Sequence, residues 1–297
     1  MSSHYIPKEQ FKDFPLLTRL LELHDIPKGL HVMGSIPKIT FDNLGRASPR
    51  ILTIVGSRKC TSYGKRALEH LLSSLDNEEV VIVSGLAIGI DGHAHTTAIK
   101  NNLPTVAIPG SGLGQSVLYP SSHRNLAKDI LEHGGALFSE LEDEERAAQW
   151  TFPARNRIMA ALSDAVLIVE AEEPSGTLIT GRQALELGKD IGAVPGDIFS
   201  SNSKGTLTLI RDGAAAITSP DDVRVLLNLP GKEVPPSTQL DTTSEEKTLL
   251  ELLREPKDKD VLLEESGFAL TDFMMHITTL EMKGYIEETF GEVRKIV

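Results

Sequence analysis

"ILTIVGSRKCTSYGKRALEHLLSSLDNEEVVIVS", residues 51–84, decides the fold. It opens on the continuous apolar run "ILTIV" (51–55) and closes on a second, "VVIVS" (80–84). Neither run alternates apolar with polar, as expected of strands buried on both faces of a parallel sheet. Between them "GKRALEHLLSSLDN" carries the spacing of an amphipathic helix. Strand, helix, strand is one parallel crossover unit.

The pattern continues outward. Further apolar runs are "TVAIP" (105–109), "ALFSE" (136–140), "AVLIVEA" (165–171) and "IGAVP" (191–195), with helical stretches such as "LITGRQALELGKD" between them. Repetition of this unit predicts a doubly wound, mostly parallel α/β sheet over residues 46–228. Glycine, serine or threonine follows nearly every run. Ligands of such folds bind outside the carboxyl ends of the strands.

Residues 1–45 are expected to form a short helical lead-in. Residues 229–243, "LPGKEVPPSTQLDTT", read as a linker from their proline and polar content. Residues 244–297 follow as helix, helix, helix and hairpin, the pattern of a small winged-helix-like domain.

The chain has 297 residues and a net charge of −12, with 24% charged and 40% hydrophobic residues, as in ordinary globular proteins. Residues 46–230 carry a net −5 and residues 241–297 a net −7. Any phosphate-binding site is therefore a local basic feature of the central segment, and the acidic tail is a poor phosphate partner. The single cysteine, Cys60, excludes an internal disulfide. The polar start "MSSHYIPKEQ" does not resemble a signal peptide, and no apolar run reaches the ~18 residues of a membrane span. A cytoplasmic location is expected.

Five loops could carry chemistry. In "IVGSRKCTSYGKR", Gly56 and Ser57 open backbone donors to an anion, and Arg58 and Lys59 supply charge. In "SGLAIGIDGHAH" (84–95) the glycines miss the dinucleotide spacing. His93 and His95, two positions apart, do not share a helix face, which disfavours a metal site. Asp91 is expected to cap the following helix, the histidines to be structural, and Gly85 to belong to an anion-binding turn. In "IPGSGLGQSVLYPSSHR" (108–124), Ser111 and Gly112 could cradle phosphate, Tyr119 could stack on a base, and Arg124 could pair with phosphate. In "WTFPARNRIMAALSDAVLIVEA" (150–171), Arg155, Asn156 and Arg157 are expected at a helix start, where two cations are unfavourable unless an anion joins them. In "EEPSGTLITGR", Ser175, Gly176 and Thr177 begin a helix with free N–H groups. Each loop also has a purely structural reading as a turn or cap. No nucleophile elbow, Walker lysine or zinc motif appears.

"IVGSRKCTSYGKR", "IVSGLAIGIDGHAH", "YP", "FPARNRIMAALSDAVLIVEA", "SGTLIT" and "VPGDIFSSNSKGTLTLIRDGA" occur in the order of the DNA-processing protein A (DprA/Smf) family, which the chain resembles over residues 14–225. The resemblance implies an extended Rossmann-like domain that dimerises, binds single-stranded DNA without strong sequence preference, protects it, and helps load RecA recombinase in natural transformation. It implies no enzymatic activity, cofactor or metal. It points to Arg58, Arg124, Arg155, Asn156 and Arg157 for DNA, with backbone donors from 84–89 and 175–177. The chain departs from the family at Gly114, where an aspartate is usual, at Ile88, often arginine, and at Leu207, in place of asparagine.

Two other readings stand beside this one. "PSGTLIT" echoes the glycine–threonine loop of lysine-decarboxylase-like phosphoribohydrolases that cleave nucleoside monophosphates, though Thr180 stands where that chemistry wants a glutamate. The acidic 244–297 module could be a protein-interaction piece rather than a DNA reader.

Overall fold

A computed structural model describes residues 2–43, 45, 47–75, 79–229, 241–253, 255–289 and 291–296. The chain divides into two units, Met1–Gly231 and Lys232–Val297.

The first unit runs β1 (His4–Pro7), α1 (Pro15–Thr18), β2 (Gly29–Gly34), β3 (Thr40–Phe41), β4 (Ala47–Ser48), β5 (Arg50–Val55), α2 (Ser62–Leu72), β6 (Val80–Ser84), α3 (Ile90–Lys100), β7 (Thr105–Ala107), α4 (Arg124–Glu132), β8 (Ala136–Ser139), α5 (Thr151–Leu162), β9 (Ala165–Ile168), α6 (Gly176–Glu186), β10 (Asp190–Ala193), α7 (Lys204–Arg211), β11 (Ala215–Ala216) and α8 (Pro220–Leu226). Nine strands form one sheet in the order β1-β2-β8-β7-β6-β5-β9-β10-β11. From β8 to β11 every neighbouring pair is parallel. The six apolar runs are β5 to β10, and the fold is the mixed α/β sheet the runs predict.

The central strands serve two cores at once. Ile51 and Val55 of β5 join Val81, Val83, Val166 and Ile168 against α5, α6 and α7. Leu52 and Ile54 join Val80, Ile82 and Leu167 against α2, α3 and α8. Burial of both faces explains why these strands are apolar throughout. Each fully buried aliphatic side chain contributes about 1.5–3 kcal/mol.

The lead-in departs from the all-helical expectation. Helical turns do span Lys8–Glu22, but β1 and β2 flank them and extend the sheet, β2 antiparallel to β8 and β1 antiparallel to β2. In "GLHVMG" Leu30 and Val32 are buried, the alternation of a strand, and they cover the edge that β8 would otherwise expose. Phe11, Leu16, Leu17 and Leu20 are fully buried in the same core as α5. Arg19 donates to the Leu162 carbonyl (2.6 Å) and the Asp164 carboxylate (3.1 Å), which also takes Arg50 Nη1 at 3.0 Å. The described residues of 1–45 thus fold as part of the first unit.

The linker expected at 229–243 lies outside the described residues from 230 to 240. The second unit has α9 (Ser244–Leu252), β12 (Lys257–Asp258), α10 (Lys259–Ser266), α11 (Leu270–Met282), β13 (Ile286–Thr289) and β14 (Glu292–Lys295), with sheet order β12-β14-β13. Leu249, Leu262, Phe273, Ile277, Leu280 and Val293 form its core. The Thr243–Glu246 capping box starts α9, and Lys283 seals it by pairing with Glu246 at 2.9 Å. Among the described residues no helix is long and apolar enough to cross a membrane.

Candidate functional site

The order of the sheet places a crevice. From β5 the chain proceeds to β6, β7 and β8 on one side, then returns to β9 on the other. The loops leaving β5 and β9 therefore diverge, which is where open α/β sheets bind ligands. A cleft of about 520 Å³ occupies this point. It gathers Gly56, Ser57, Arg58 and Lys59 after β5, Asp91 of α3, Phe152, Arg155 and Asn156 of α5, and Ser175, Gly176 and Thr177 opening α6.

The turn after β5 is held from behind. Ile90 N–H donates to the Ser57 carbonyl (3.1 Å), and the Lys59 N–H donates to Ser57 Oγ (3.1 Å). Gly89, at φ +88°, lies so close that a Cβ would fall 2.2 Å from the Ser57 oxygen. This close approach needs glycine. With the turn fixed, Arg58 and Lys59 project as exposed side chains. The Arg58 guanidinium lies 4.8 Å from the centre of the Phe152 ring, a cation–π distance. Tyr119 meets the same ring edge-on at 5.8 Å and is 45% exposed. Arg58, Phe152 and Tyr119 thus form a cationic and aromatic ledge.

Across the cleft, α6 begins at Gly176 with Ser175 as N-cap. Among the described residues Ser175 Oγ has no hydrogen-bond partner, and Thr177 Oγ1 donates to the Gly56 carbonyl at 3.1 Å. The first N–H groups of a helix lack intrahelical partners and favour an anion.

Arg155 differs from its expected role. It lies mid-way along α5 rather than at the start, 7% exposed. Its Nη1 donates to the Gly85 carbonyl (2.5 Å) and to the Ile108 carbonyl, and its Nε to Asn156 Oδ1 (3.0 Å). The guanidinium therefore stitches together the chain ends beyond β6 and β7. Burial lowers its pKa to about 10, with Asp91 opposing and Arg58 adding to the fall. Burial raises the Asp91 carboxyl against the pull of Arg155, the Ala87 and Gly85 backbone and Arg58. Asp91 is thus not the expected helix cap. That position is Gly89, while Asp91 sits buried in the first turn. Gly85 is covered by Arg155 and offers no open turn.

Other expected contacts lie away from the cleft. Arg157 turns to the far side of α5, where Nη2 grips both oxygens of Glu140 (2.6 and 2.7 Å) and Nη1 donates to the Asp25 carbonyl (2.6 Å). Ser111 is fully buried, with Oγ accepting from Tyr119 N–H at 3.0 Å. Gly112 N–H donates to the Glu145 carbonyl (2.8 Å), and a Cβ there would meet the Glu142 oxygen at 2.0 Å. The acidic loop 142–145 packs on this glycine-rich loop, so Ser111 and Gly112 are closed to phosphate. Arg124 Nη2 donates to the Ser116 carbonyl (2.7 Å) at the start of α4, outside the cleft.

The histidines of 84–95 take structural places. His95 is fully buried, and its Nδ1 donates to Thr105 Oγ1 at 2.7 Å, since that hydroxyl already donates to the Ile82 carbonyl. His93 Nε2 faces Glu69 Oε1 at 3.2 Å. Among the described residues no three His, Cys, Asp or Glu side chains could together hold a metal. Phe152 is the residue of the ledge that the sequence reading passed over. It stands three positions before Arg155, on one helix face with it, which was a usable signal.

The family model for DNA recombination-mediator protein A matches residues 8–228. Protein Smf of Escherichia coli (strain K12) is 34% identical, across 97% of this chain and 76% of that protein. The X-ray structure of DNA processing protein A from Streptococcus pneumoniae is similar with a TM-score of 0.61 and 38% identity, across 70% of this chain and 69% of that one. The structure of DNA processing protein A from Helicobacter pylori, a study of its single-stranded DNA binding mode, is similar with a TM-score of 0.60 and 28% identity, across 77% and 97%.

Proposed function

Because this chain belongs to the DNA recombination-mediator protein A family, we propose that it binds single-stranded DNA along the Arg58–Phe152 ledge, protects it, and helps load RecA recombinase during transformation. It does so as a homodimer through the first unit, in the cytoplasm, without cofactor or metal. One observation carries the reading: in a chain of net charge −12, exposed Arg58 and Lys59 stand beside an aromatic ring in the switch-point cleft. Guanidinium and ammonium groups track phosphates, the ring accepts a base of any sequence, and the α6 start adds backbone donors. Within this reading Arg155 is a positioning residue that shapes the cleft floor.

Two of the carboxylates at or beside the cleft are already engaged, while Glu172 lines it exposed to solvent. Asp91 is buried beneath Arg155, and Glu170 is held by Thr61 through its N–H (2.8 Å) and Oγ1 (2.6 Å). Neither is free to serve as a general base. The second unit, with its helices and terminal hairpin, is read as winged-helix-like, and its net −7 suits a protein partner better than phosphate. The test is a mobility-shift series with single-stranded and duplex oligonucleotides at two salt concentrations, for the parent and Arg58→Ala. Parent binding of single strands that falls steeply with salt and weakens in Arg58→Ala supports the reading. Equal binding by both sinks the cleft, and release of adenine from AMP overturns the non-enzymatic role.

A further inference from the structure

A second groove, of about 470 Å³, adjoins the first, and Arg58 and Lys59 line both. Its walls are α2 and α3 with the turn that enters α4. Lys65 contributes from the first turns of α2, exposed to solvent. His93 and Thr96 contribute from α3, and His123 from the turn before α4. His123 packs closely against α3: a Cβ on Gly92 would fall 2.4 Å from its Cε1. Its Nδ1 sits 2.8 Å from the Leu86 carbonyl, which can only accept, so Nδ1 carries the proton and Nε2 remains available. Beside the groove, Glu69 faces His93 at 3.2 Å, and Glu170 accepts from Thr61 N–H and Oγ1.

We propose that this second groove carries the continuation of a single strand bound in the first cleft, with Arg58 and Lys59 as the shared phosphate clamp and Lys65 as the next contact. The inference rests on the reading of the first cleft and extends it. A groove that tracks a phosphodiester backbone needs positive charge repeated along its length. Arg58, Lys59 and Lys65 supply that in series, inside a unit that is otherwise net acidic. The groove has little aromatic surface, so it follows the backbone while base stacking stays on the Phe152 ledge.

Cys60, the chain's single cysteine, also lines the second groove and is partly exposed. It reports occupancy without any substitution. The experiment measures fluorescence anisotropy with oligo-thymidylates of roughly 4–16 nucleotides, together with the rate at which a small thiol reagent modifies Cys60. In the parent, the shortest binding strands leave Cys60 reactive, and longer strands bind tighter and shield it. Lys65→Gln and Thr96→Glu bind the short strands as the parent does but lose about fivefold on the long ones. Long strands that leave Cys60 as reactive as in the free protein overturn the proposal. So does either variant losing equally on both lengths, or both losing on neither. Failure of the parent to bind strands of any length removes the first-cleft reading, and this one with it.

Discussion

Arg155 and Gly85 are made for each other: Arg155 Nη1 donates to the Gly85 carbonyl, and a Cβ on Gly85 would lie 2.1 Å from that same nitrogen. The guanidinium has no room to move aside, because Ile108 and Asn156 hold it as well. Gly85→Ala must therefore break these bonds, and Arg155→Ala leaves two carbonyls unsatisfied and Asp91 without the larger of its two counter-charges. Each change is expected to destabilise the first unit by about 3 kcal/mol. Urea unfolding reads the loss. A Gly85→Ala variant as stable as the parent would show that Arg155 is not locked in place.

His95 predicts a pH dependence of stability. Burial, with His123 adding to it, lowers its folded pKa to about 3 from 6.5. Below pH 6.5 the unfolded chain takes up a proton that the folded chain refuses until about pH 3. Stability from this residue is thus full above 6.5 and is lost as pH falls through that window, at up to about 1.4 kcal/mol per unit. Between pH 7 and pH 5 the parent should lose about 2 kcal/mol more than His95→Gln. Parallel stability curves for the two proteins would remove His95 as the cause.

The fold was more legible than the site. Ile51–Val55 and Val80–Ser84 announce themselves because strands buried on both faces cannot hide their apolar runs. β2 was harder to see, since "GLHVMG" is short and its reason to be a strand is β8, distant in sequence. The cleft's Gly56–Lys59 turn and α6 start were readable, because a strand end followed by small residues is a local signal. Arg155 and Arg157 misled because adjacency in sequence is not adjacency on a helix. Two positions are about 200° apart, so the two side chains face opposite ways. Ser111 and Gly112 misled because the acidic loop that closes over them comes from elsewhere in the chain.

That geometry separates Arg58 from Arg157 in solution. Arg58 is exposed and faces the cleft, so Arg58→Ala should weaken single-strand binding and flatten the dependence of log K on log salt by about 0.7. Arg157 joins α5 to Glu140 and Asp25 on the other side. Arg157→Ala should leave the salt slope unchanged and cost about 1 kcal/mol of stability. Titrations at several salt concentrations distinguish them, and a reduced slope in Arg157→Ala would return that residue to the DNA path.

Phe152 predicts the opposite signature to Arg58. Its ring carries the Arg58 guanidinium and the Tyr119 edge, and Gly110 leaves room for it, since a Cβ there would meet Phe152 Cδ1 at 2.7 Å. Stacking of one base on such a ring contributes about 1–3 kcal/mol and releases no counterions. Phe152→Ala should therefore lower affinity about tenfold or more while the salt slope falls little, and Phe152→Tyr should restore most of it. Tyr119→Ala should cost less, since Tyr119 supports the ring by its edge. If Phe152→Ala instead flattens the salt slope as Arg58→Ala does, the ring serves to aim the guanidinium and does not stack on a base.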